Sequence, residues 1–195
     1  MATRAEAAPL IEALDLKEVK KDHMVLYEGK GIVLVVSGIG KTNAAIATTY
    51  CCAVLGSRSI LNLGAAGATK TSIPMGEVLH ATKVIEYDRP LLFREGLRFY
   101  HPQVLPGFKE ATLATQDRPV IAPDHRAALA PFADLVDMEG AAIVQVSRRF
   151  KTRCFLFKFV SDTPDHPGDT DILECIGLHG PAFCRFIADS VIPAL

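Results

Sequence analysis

Apolar residues recur along the chain in two spacings, and each spacing predicts a different kind of element. Ala5, Ala8, Ile11 and Leu14 fall near one face of a helix, so a helix is expected over residues 4–14. Short apolar runs bounded by Gly, Pro or polar residues predict strands instead. Such runs cover residues 24–28, 32–36, 59–63, 77–85, 111–115, 135–138 and 154–160. Further helices are expected over residues 41–55, 139–149 and 172–192.

This alternation of strands and helices predicts an α/β protein, with a mixed, twisted central sheet flanked by helices. Residues 86–110 are rich in Pro and Arg and are expected to form a loop excursion. No internal repeat and no linker divides the sequence, so residues 1–195 are expected to form a single domain. The hydrophobic content of 49% leaves an apolar surplus that suits an oligomer face.

Charge and cysteine usage narrow the class of protein. The net charge is −1 and no basic run exceeds two residues, which argues against a nucleic-acid partner. No secretory signal is expected, and no apolar stretch nears the roughly 18 residues that span a bilayer. The five cysteines form no CxxC pair, and the six histidines show no ligand spacing. Reduced thiols in a cytoplasmic protein without a metal or other cofactor are therefore expected.

Two glycine-rich segments follow predicted strands. Residues 37–42 read SGIGKT, but a P-loop needs a glycine where Val35 stands. This segment is either a tight strand-to-helix turn or a helix N-terminus whose N–H groups meet a polar ligand. Residues 62–67 read NLGAAG, and their small side chains allow either a flat ligand or a packed helix to approach the backbone.

Carboxylates stand where predicted strands end. Asp137 and Glu139 lie between an apolar run and an Ala-rich helix, and Asp162 ends the run 154–160. Sites in α/β sheets are built at strand ends, and a shielded carboxylate there can move a proton or accept bonds from a sugar diol. The alternative is a helix-capping Asp and a solvated Glu. The alternative for Glu6, on the first helix, is a solvated side chain. Residues 162–169 are interpreted as a surface loop rather than a cation site.

Together these segments resemble the purine nucleoside phosphorylase/nucleosidase superfamily. Within it they are most similar to the 5'-methylthioadenosine/S-adenosylhomocysteine nucleosidase and futalosine hydrolase branch. The matching segments are residues 2–10, 37–45, 62–67, 137–142 and 161–162. The resemblance implies the nucleoside phosphorylase-like fold and hydrolysis of the N-glycosidic bond of a purine-type nucleoside. It also implies no cofactor and a homodimer or larger homo-oligomer.

The resemblance assigns roles to particular residues. Glu139 is expected to hold the ribose hydroxyls, Asp162 to protonate N7 of the leaving purine, and Glu6 to orient the attacking water. Met138 is expected to pack against the ribose. The remaining residues expected to line the substrate are Ser161, Ala65, Ala66, Gly67 and Val120. The assignment suits the chemistry, because glycosidic cleavage needs an acid on the leaving base and a base on water.

The same resemblance bears on the nucleophile. Phosphorylases of this fold hold phosphate with an Arg and a Ser or Thr around the second glycine-rich segment, and Asn62 and Ala65 stand there instead. These two positions offer a phosphate dianion neither a cation nor a hydroxyl, so water is the expected nucleophile. The alternatives are a phosphate-dependent phosphorylase and a catalytically degenerate nucleoside-binding paralogue.

Three departures from the family pattern concern the ligand and the chain start. The family has a full strand before its first helix, which this chain lacks in sequence. Residues 116–120 read QDRPV, without the aromatic residue that stacks on adenine in the nucleosidases. Lys158 stands where the family has an arginine four residues before the catalytic Asp. The base and the 5' substituent therefore stay open.

Overall fold

A computed structural model describes residues 1–21, 24–89, 91 and 96–195 of the chain. Its helices are α1 (Arg4–Ala13), α2 (Lys41–Ala53), α3 (Pro123–Leu129), α4 (Gly140–Arg149) and α5 (Asp169–Phe186). Its strands are β1 (Lys17–Lys21), β2 (Met24–Gly29), β3 (Ile32–Val35), β4 (Ser59–Ala68), β5 (Val78–Glu86), β6 (Arg98–Tyr100), β7 (Glu110–Thr115), β8 (Leu135–Asp137) and β9 (Arg153–Asp162). A π-helical turn, Ile187–Val191, and a 3-10 turn, Ile192–Ala194, follow α5.

The central sheet is mixed, as the sequence predicts. Its strand order is β6-β5-β7-β8-β4-β9, and β5 also pairs with β9, so five of its strands close into a ring. The pairs β4–β9, β5–β7 and β7–β8 are parallel, whereas β4–β8 and β5–β9 are antiparallel. The first three strands form a separate antiparallel sheet.

Strand β9 separates two apolar layers. Leu156 and Val160 pack in a cluster with residues of α2 and α4, including Ala44 and Ala141. Phe155, Phe157 and Phe159 pack on the other side, in a cluster with α1 and α5. Because both faces of the strand are covered, its sequence is almost continuously apolar rather than alternating. None of the described helices is both long enough and apolar enough to cross a bilayer.

Several elements differ from their sequence predictions. Strand β4 does not end at Leu63 but continues through the glycine-rich segment to Ala68, because residues of that segment remain paired with β9. Strand β6 lies inside the predicted loop 86–110; residues 90 and 92–95 of that loop fall outside the described residues. Strand β1 and helix α3 were not predicted. At the start of the chain, the carbonyls of Met1 and Ala2 accept hydrogen bonds from the amides that follow β3.

Candidate active site

All three carboxylates to which the sequence assigns chemistry are buried. The exposed fraction is 5% for Glu6, 7% for Glu139 and 5% for Asp162. Solvated surface residues would be far more exposed, so the solvated alternative for Glu6 and Glu139 is wrong. Buried carboxylates require partners, and those partners define the geometry of the site.

Glu6 joins helix α1 to strand β4. Its Oε2 accepts hydrogen bonds from the amide and the hydroxyl of Thr3, at 2.9 and 2.8 Å, in a capping box. Its Oε1 accepts a 2.8 Å bond from the Ala65 amide. A β-carbon at Gly64 would lie only 2.6 Å from Glu6 Oε1, so a glycine is needed for the carboxylate to reach the strand. The capping box therefore holds Glu6 against the middle of β4.

Glu139 is the N-cap residue of α4 and binds the glycine-rich turn that precedes α2. Its Oε1 accepts a 2.8 Å hydrogen bond from the Gly40 amide. The next amide, that of Lys41, donates a 2.8 Å bond to Asp117 Oδ1. The N-terminus of α2 therefore does bind anionic oxygens, as one sequence interpretation allowed, but these oxygens are the protein's own carboxylates.

A buried ion pair lies close to Glu139. Lys158 Nζ lies 2.9 Å from Asp137 Oδ2, and both side chains are almost fully buried. Asp137 also accepts bonds from Thr115 Oγ1 at 2.6 Å and from the Gly140 amide at 2.9 Å, so its side chain binds the first amide of α4. Burial is the largest single influence on the pKa of Lys158 and acts to lower it, but the neighbouring carboxylates, Asp137 first, outweigh it and raise the pKa overall.

The buried surroundings of Glu139 raise the pKa of its carboxyl group. Burial raises the pKa of the Glu139 carboxyl above its ordinary value, and the negative charge of Asp137 raises it further. Lys158 and the Gly40 amide act in the opposite direction. Glu6 is near enough to contribute to the same increase in the pKa of Glu139, which places the two carboxylates in one electrostatic neighbourhood.

Asp162 lies at the end of β9, opposite Gly67. Its Oδ1 accepts a 2.6 Å bond from Ser161 Oγ, and its Oδ2 forms an ion pair with Arg126 Nη2. A β-carbon at Gly67 would lie 2.5 Å from Asp162 Oδ2. The pairing register slips by one residue here: Ala66 pairs with Val160, and Gly67 pairs with Asp162. This irregularity leaves Ser161 without a partner in the β4–β9 register and sets Asp162 beside Gly67.

Arg126 is the residue of this site that sequence reasoning missed. It lies on α3 with only 1% of its surface exposed. Its guanidinium donates to the carbonyls of Ala68 at 2.8 Å and Val120 at 2.7 Å, besides pairing with Asp162. Its Nε is buried and has no hydrogen-bond partner among the described residues. The sequence offered no signal, because α3 was not predicted and a lone arginine in PDHRAALA is typical of a surface.

The other predicted lining residues lie in the same region. Val120 and Ala66 are buried, whereas Met138 and Ala65 are half-buried. A cavity of about 500 Å³ lies beside this region, and Gln116, Asp117 and Leu129 are among its lining residues. None of the three carboxylates lines that cavity. It adjoins the site through Asp117, whose carboxylate binds the Lys41 amide next to Gly40.

No metal site accompanies the carboxylates in the described part of the chain. Among those residues, no group of three or more His, Cys, Asp or Glu side chains is placed to hold an ion. The five cysteines all belong to the described residues and are free thiols. The three buried carboxylates themselves offer acid–base chemistry and hydrogen bonding.

Comparisons with known proteins place these features in a family context. The family model described as the phosphorylase superfamily matches residues 1–130 and 112–191. The 5'-methylthioadenosine/S-adenosylhomocysteine nucleosidase of Bacillus licheniformis is 32% identical over 165 residues, which covers 70% of each chain. The aminodeoxyfutalosine nucleosidase of Campylobacter jejuni is 27% identical over 203 residues, which covers 90% of this chain and 89% of the relative.

Solved structures agree with the fold. The 5'-methylthioadenosine/S-adenosylhomocysteine nucleosidase of Helicobacter pylori, solved with butyl-thio-DADMe-Immucillin-A, superposes with a TM-score of 0.86 at 24% identity. That match covers 98% of this chain and 95% of the other. The futalosine hydrolase of the same organism gives a TM-score of 0.86 at 22% identity, with the same coverage.

Proposed function

Because the chain belongs to the phosphorylase superfamily, we propose that its buried carboxylates hydrolyse the N-glycosidic bond of a purine-type nucleoside. The superfamily and the α/β fold predicted from the sequence are confirmed by the family match and by the solved structures. The named relatives are nucleosidases, which confirms the predicted enzyme class, an N-glycosyl hydrolase. The assignment of individual residues to steps of the reaction is our proposal.

The observation that carries the proposal is the convergence of two buried carboxylates on one glycine-rich strand. Glu6 binds the Ala65 amide, and Asp162 lies against Gly67. Gly64 and Gly67, the two positions approached, are three residues apart, or about 10 Å along a strand. A nucleoside lying along this stretch has a carboxylate at each end, one for the leaving base and one for water.

The proposed reaction proceeds as follows. Glu139 accepts hydrogen bonds from the 2' and 3' hydroxyls of the ribose. The bond between C1' and N9 breaks with its electron pair going to the base, and Asp162 gives a proton to N7. Water attacks C1' and passes a proton to Glu6, and solvent returns that proton to Asp162 for the next turnover. Met138 and the half-buried Ala65 lie beside the sugar.

The surroundings of Ala65 favour water over phosphate as the nucleophile. The Ala65 amide already donates to Glu6, so a phosphate dianion entering here meets a carboxylate instead of a free donor. Lys41, the cation of the SGIGKT turn, is engaged by carboxylates: its Nζ lies 2.7 Å from Asp88 Oδ1 and 3.4 Å from Glu86 Oε1. A phosphorylase of the same fold is therefore not favoured.

A nucleoside panel tests this function. We expect base release from a purine ribonucleoside at a rate that does not change when inorganic phosphate is added. Free ribose, or its 5'-substituted form, should appear in equal amount to the base. Formation of ribose 1-phosphate in proportion to added phosphate would establish a phosphorylase instead. Absence of base release from the whole panel would favour the degenerate nucleoside-binding paralogue.

The natural substrate, the oligomeric state and the cellular location of the protein are also proposals. We propose that the natural substrate is of the methylthioadenosine/S-adenosylhomocysteine or futalosine kind, because the relatives carry those names. We propose a homo-oligomer, because Ile39, Ile46 and Val54 of the α2 region are 55%, 59% and 61% exposed. A cytoplasmic location suits the five free thiols.

A further inference from the structure

We propose that Arg126 contacts position 6 of the purine and makes the enzyme selective for 6-oxopurine nucleosides over 6-aminopurine nucleosides. This inference rests on the proposed function, because it uses the position of Asp162 beside N7 of the base. Of the two substrate kinds proposed above, it selects the 6-oxopurine kind, futalosine, over the 6-aminopurine nucleosides methylthioadenosine and S-adenosylhomocysteine. It assigns to the site a specificity-determining residue and the chemical class of the leaving base.

The geometry of a purine links the N7 site to position 6. N7 and the substituent at position 6 lie on the same edge of the ring, where guanine offers two acceptors and adenine offers one acceptor and one amino donor. A side chain bonded to the carboxylate that binds N7 lies on one of the two sides of N7, toward C8 or toward position 6. Arg126 Nη2 is bonded both to Asp162 Oδ2 and to the carbonyl of Val120, a residue expected to line the substrate, so we place the guanidinium on the side of position 6.

The hydrogen-bonding character of the guanidinium favours an oxygen at position 6. Arginine has only donors and no acceptor, and it stays charged. An oxygen at position 6 accepts such a donor, whereas an amino group there presents its own hydrogens to it. Arg126 also has spare capacity: its Nε is buried and without a partner in the described part of the chain. Nε and Nη2 share one edge of the guanidinium, which can form two parallel bonds to neighbouring acceptors.

A 6-amino group would cost Arg126 several of its hydrogen bonds. An amino group at position 6 could share the Val120 carbonyl, which accepts from Arg126 Nη2 at 2.7 Å, but its hydrogens would then face the guanidinium donors at the same place. To clear the position, Arg126 would also give up its ion pair with Asp162 and its bond to the Ala68 carbonyl. With 1% of its surface exposed, it has no solvent at hand to replace these bonds. With an oxygen at position 6, Arg126 Nη2 only exchanges Asp162 for that oxygen, and Asp162 becomes available to N7.

The same contact favours departure of a 6-oxopurine. As the C1'–N9 bond breaks, its electron pair delocalises over the ring and onto the 6-oxygen. A fixed positive charge at that oxygen stabilises the leaving base, more in the transition state than in the bound nucleoside. Proton transfer from Asp162 to N7 completes the neutral base, so the guanidinium contributes charge and no proton.

Two nucleosides that differ only at position 6 test the proposal: 5'-methylthioinosine and 5'-methylthioadenosine. We expect the wild-type kcat/KM to favour the 6-oxo compound by about 100-fold, the size expected when a buried donor is left without its acceptor. Arg126→Met should lose most of the activity on the 6-oxo compound and remove the preference. Arg126→Lys keeps the charge but not the planar edge, and should retain only part of the preference. Arg149→Met, the same change on an exposed helix end, should leave the ratio of kcat/KM values unchanged.

Other outcomes overturn the proposal. A wild-type enzyme that uses the 6-amino compound equally well or better removes Arg126 from this role, and so does an Arg126→Met variant that keeps the preference. Binding of free hypoxanthine and free adenine, measured by calorimetry, separates this inference from the proposed function. Selective binding of hypoxanthine without any turnover would support the role of Arg126 and contradict the proposed hydrolase activity. Turnover combined with selectivity for adenine would support the hydrolase activity and contradict the role of Arg126. If neither base binds and nothing is turned over, both are wrong.

Discussion

Glu139 combines a raised pKa with a role that needs its ionised form. The carboxylate, not the carboxylic acid, accepts hydrogen bonds from both ribose hydroxyls. Burial and Asp137 raise its pKa above the ordinary value of 4.5, so the protonated form persists to higher pH. We therefore expect kcat/KM to decline as pH falls through this raised pKa, with the acidic limb above pH 4.5. The measurement is a profile of kcat/KM against pH with a ribonucleoside.

The matched variant for this prediction is Glu139→Gln, which cannot titrate. It should lack the acidic limb due to Glu139 and should lose about 2 to 4 kcal/mol of transition-state stabilisation, the range for removing a buried charged partner. Its loss should be smaller with a 2'-deoxynucleoside, which has one hydroxyl fewer. An unchanged kcat/KM in Glu139→Gln would place Glu139 outside the site.

Asp162 should act as the general acid, so Asp162→Asn should lower turnover by about a hundredfold or more. Asn has nearly the same shape but cannot release a proton to N7. The loss should fall on kcat more than on binding, because proton transfer matters in the transition state. Melting temperature and turnover are measured together. A less stable but fully active variant would show that Asp162 only holds Arg126 and the end of β9 in place.

Single residues differ in how far the sequence revealed them. Glu6, Glu139 and Asp162 stand at pattern boundaries, where an apolar run or helix face meets an acidic side chain, and the structure brings all three to buried positions. Arg126 lies in no such boundary. Its burial depends on the approach of α3 to the ends of β4 and β9, which is a long-range contact that local residue patterns do not encode.

At the scale of elements, β4 shows where turn signals mislead. Gly64, Ala65, Ala66 and Gly67 look like a strand end, yet pairing with β9 carries the strand to Ala68. The small side chains of this segment do not mark a turn of the chain. They allow Glu6 and Asp162 to approach the strand closely. Strand β1, Lys17–Lys21, was missed for the opposite reason: KEVKK offers a single apolar residue, and its antiparallel partner β2 supplies the pairing.

Gly67→Ala should therefore damage the site more than the fold. The new β-carbon would lie 2.5 Å from Asp162 Oδ2 and 3.1 Å from Val136 Cγ2, so the carboxylate must move. A displacement of about 1 Å in a reacting group can cost on the order of a hundredfold in rate, and we expect a loss of this size in turnover. Turnover and melting temperature are the measurements.

The control is Gly177→Ala on α5, where a new β-carbon meets nothing within 4 Å. Alanine is favoured over glycine inside a helix by about 1 kcal/mol, so this variant should keep full activity and gain slightly in melting temperature. Equal activity losses in the two variants would show that crowding at Asp162 is not the cause.

At the scale of the whole molecule, the alternation of elements predicts the α/β class but not the closed ring of strands. Ring closure depends on β5 pairing with β9, where Val78 faces Phe159 across an antiparallel ladder. The two residues are far apart in sequence, and both strands are apolar enough to pair elsewhere. Closure places β9 between β4 and β5, so the strand that ends in Asp162 has partners on both edges.

The exposed apolar residues around α2 lead to a prediction about assembly. If Ile39, Ile46 and Val54 are covered by a second copy of the chain, Ile46→Lys should convert the oligomer to monomers, because a buried, unpaired ammonium is costly. Light scattering coupled to size-exclusion chromatography measures the mass. Leu178→Lys on α5 is the control: Leu178 is also an exposed apolar residue, at 74%, but it lies outside the proposed α2 interface, so this change should not affect the mass. A wild-type protein that is already monomeric would contradict the proposed oligomer.

The capping box at the start of α1 links catalysis to the integrity of one helical turn. Thr3 and the Ala65 amide together engage both oxygens of Glu6, so the carboxylate can stay in the site only while the first turn is wound. Helix ends open locally at far lower free energy than the whole protein. Each brief fraying of that turn would withdraw the proposed base for water. The time for which the first turn stays wound then limits how long the active site stays complete. This limit applies already at temperatures well below the one at which the central sheet unfolds.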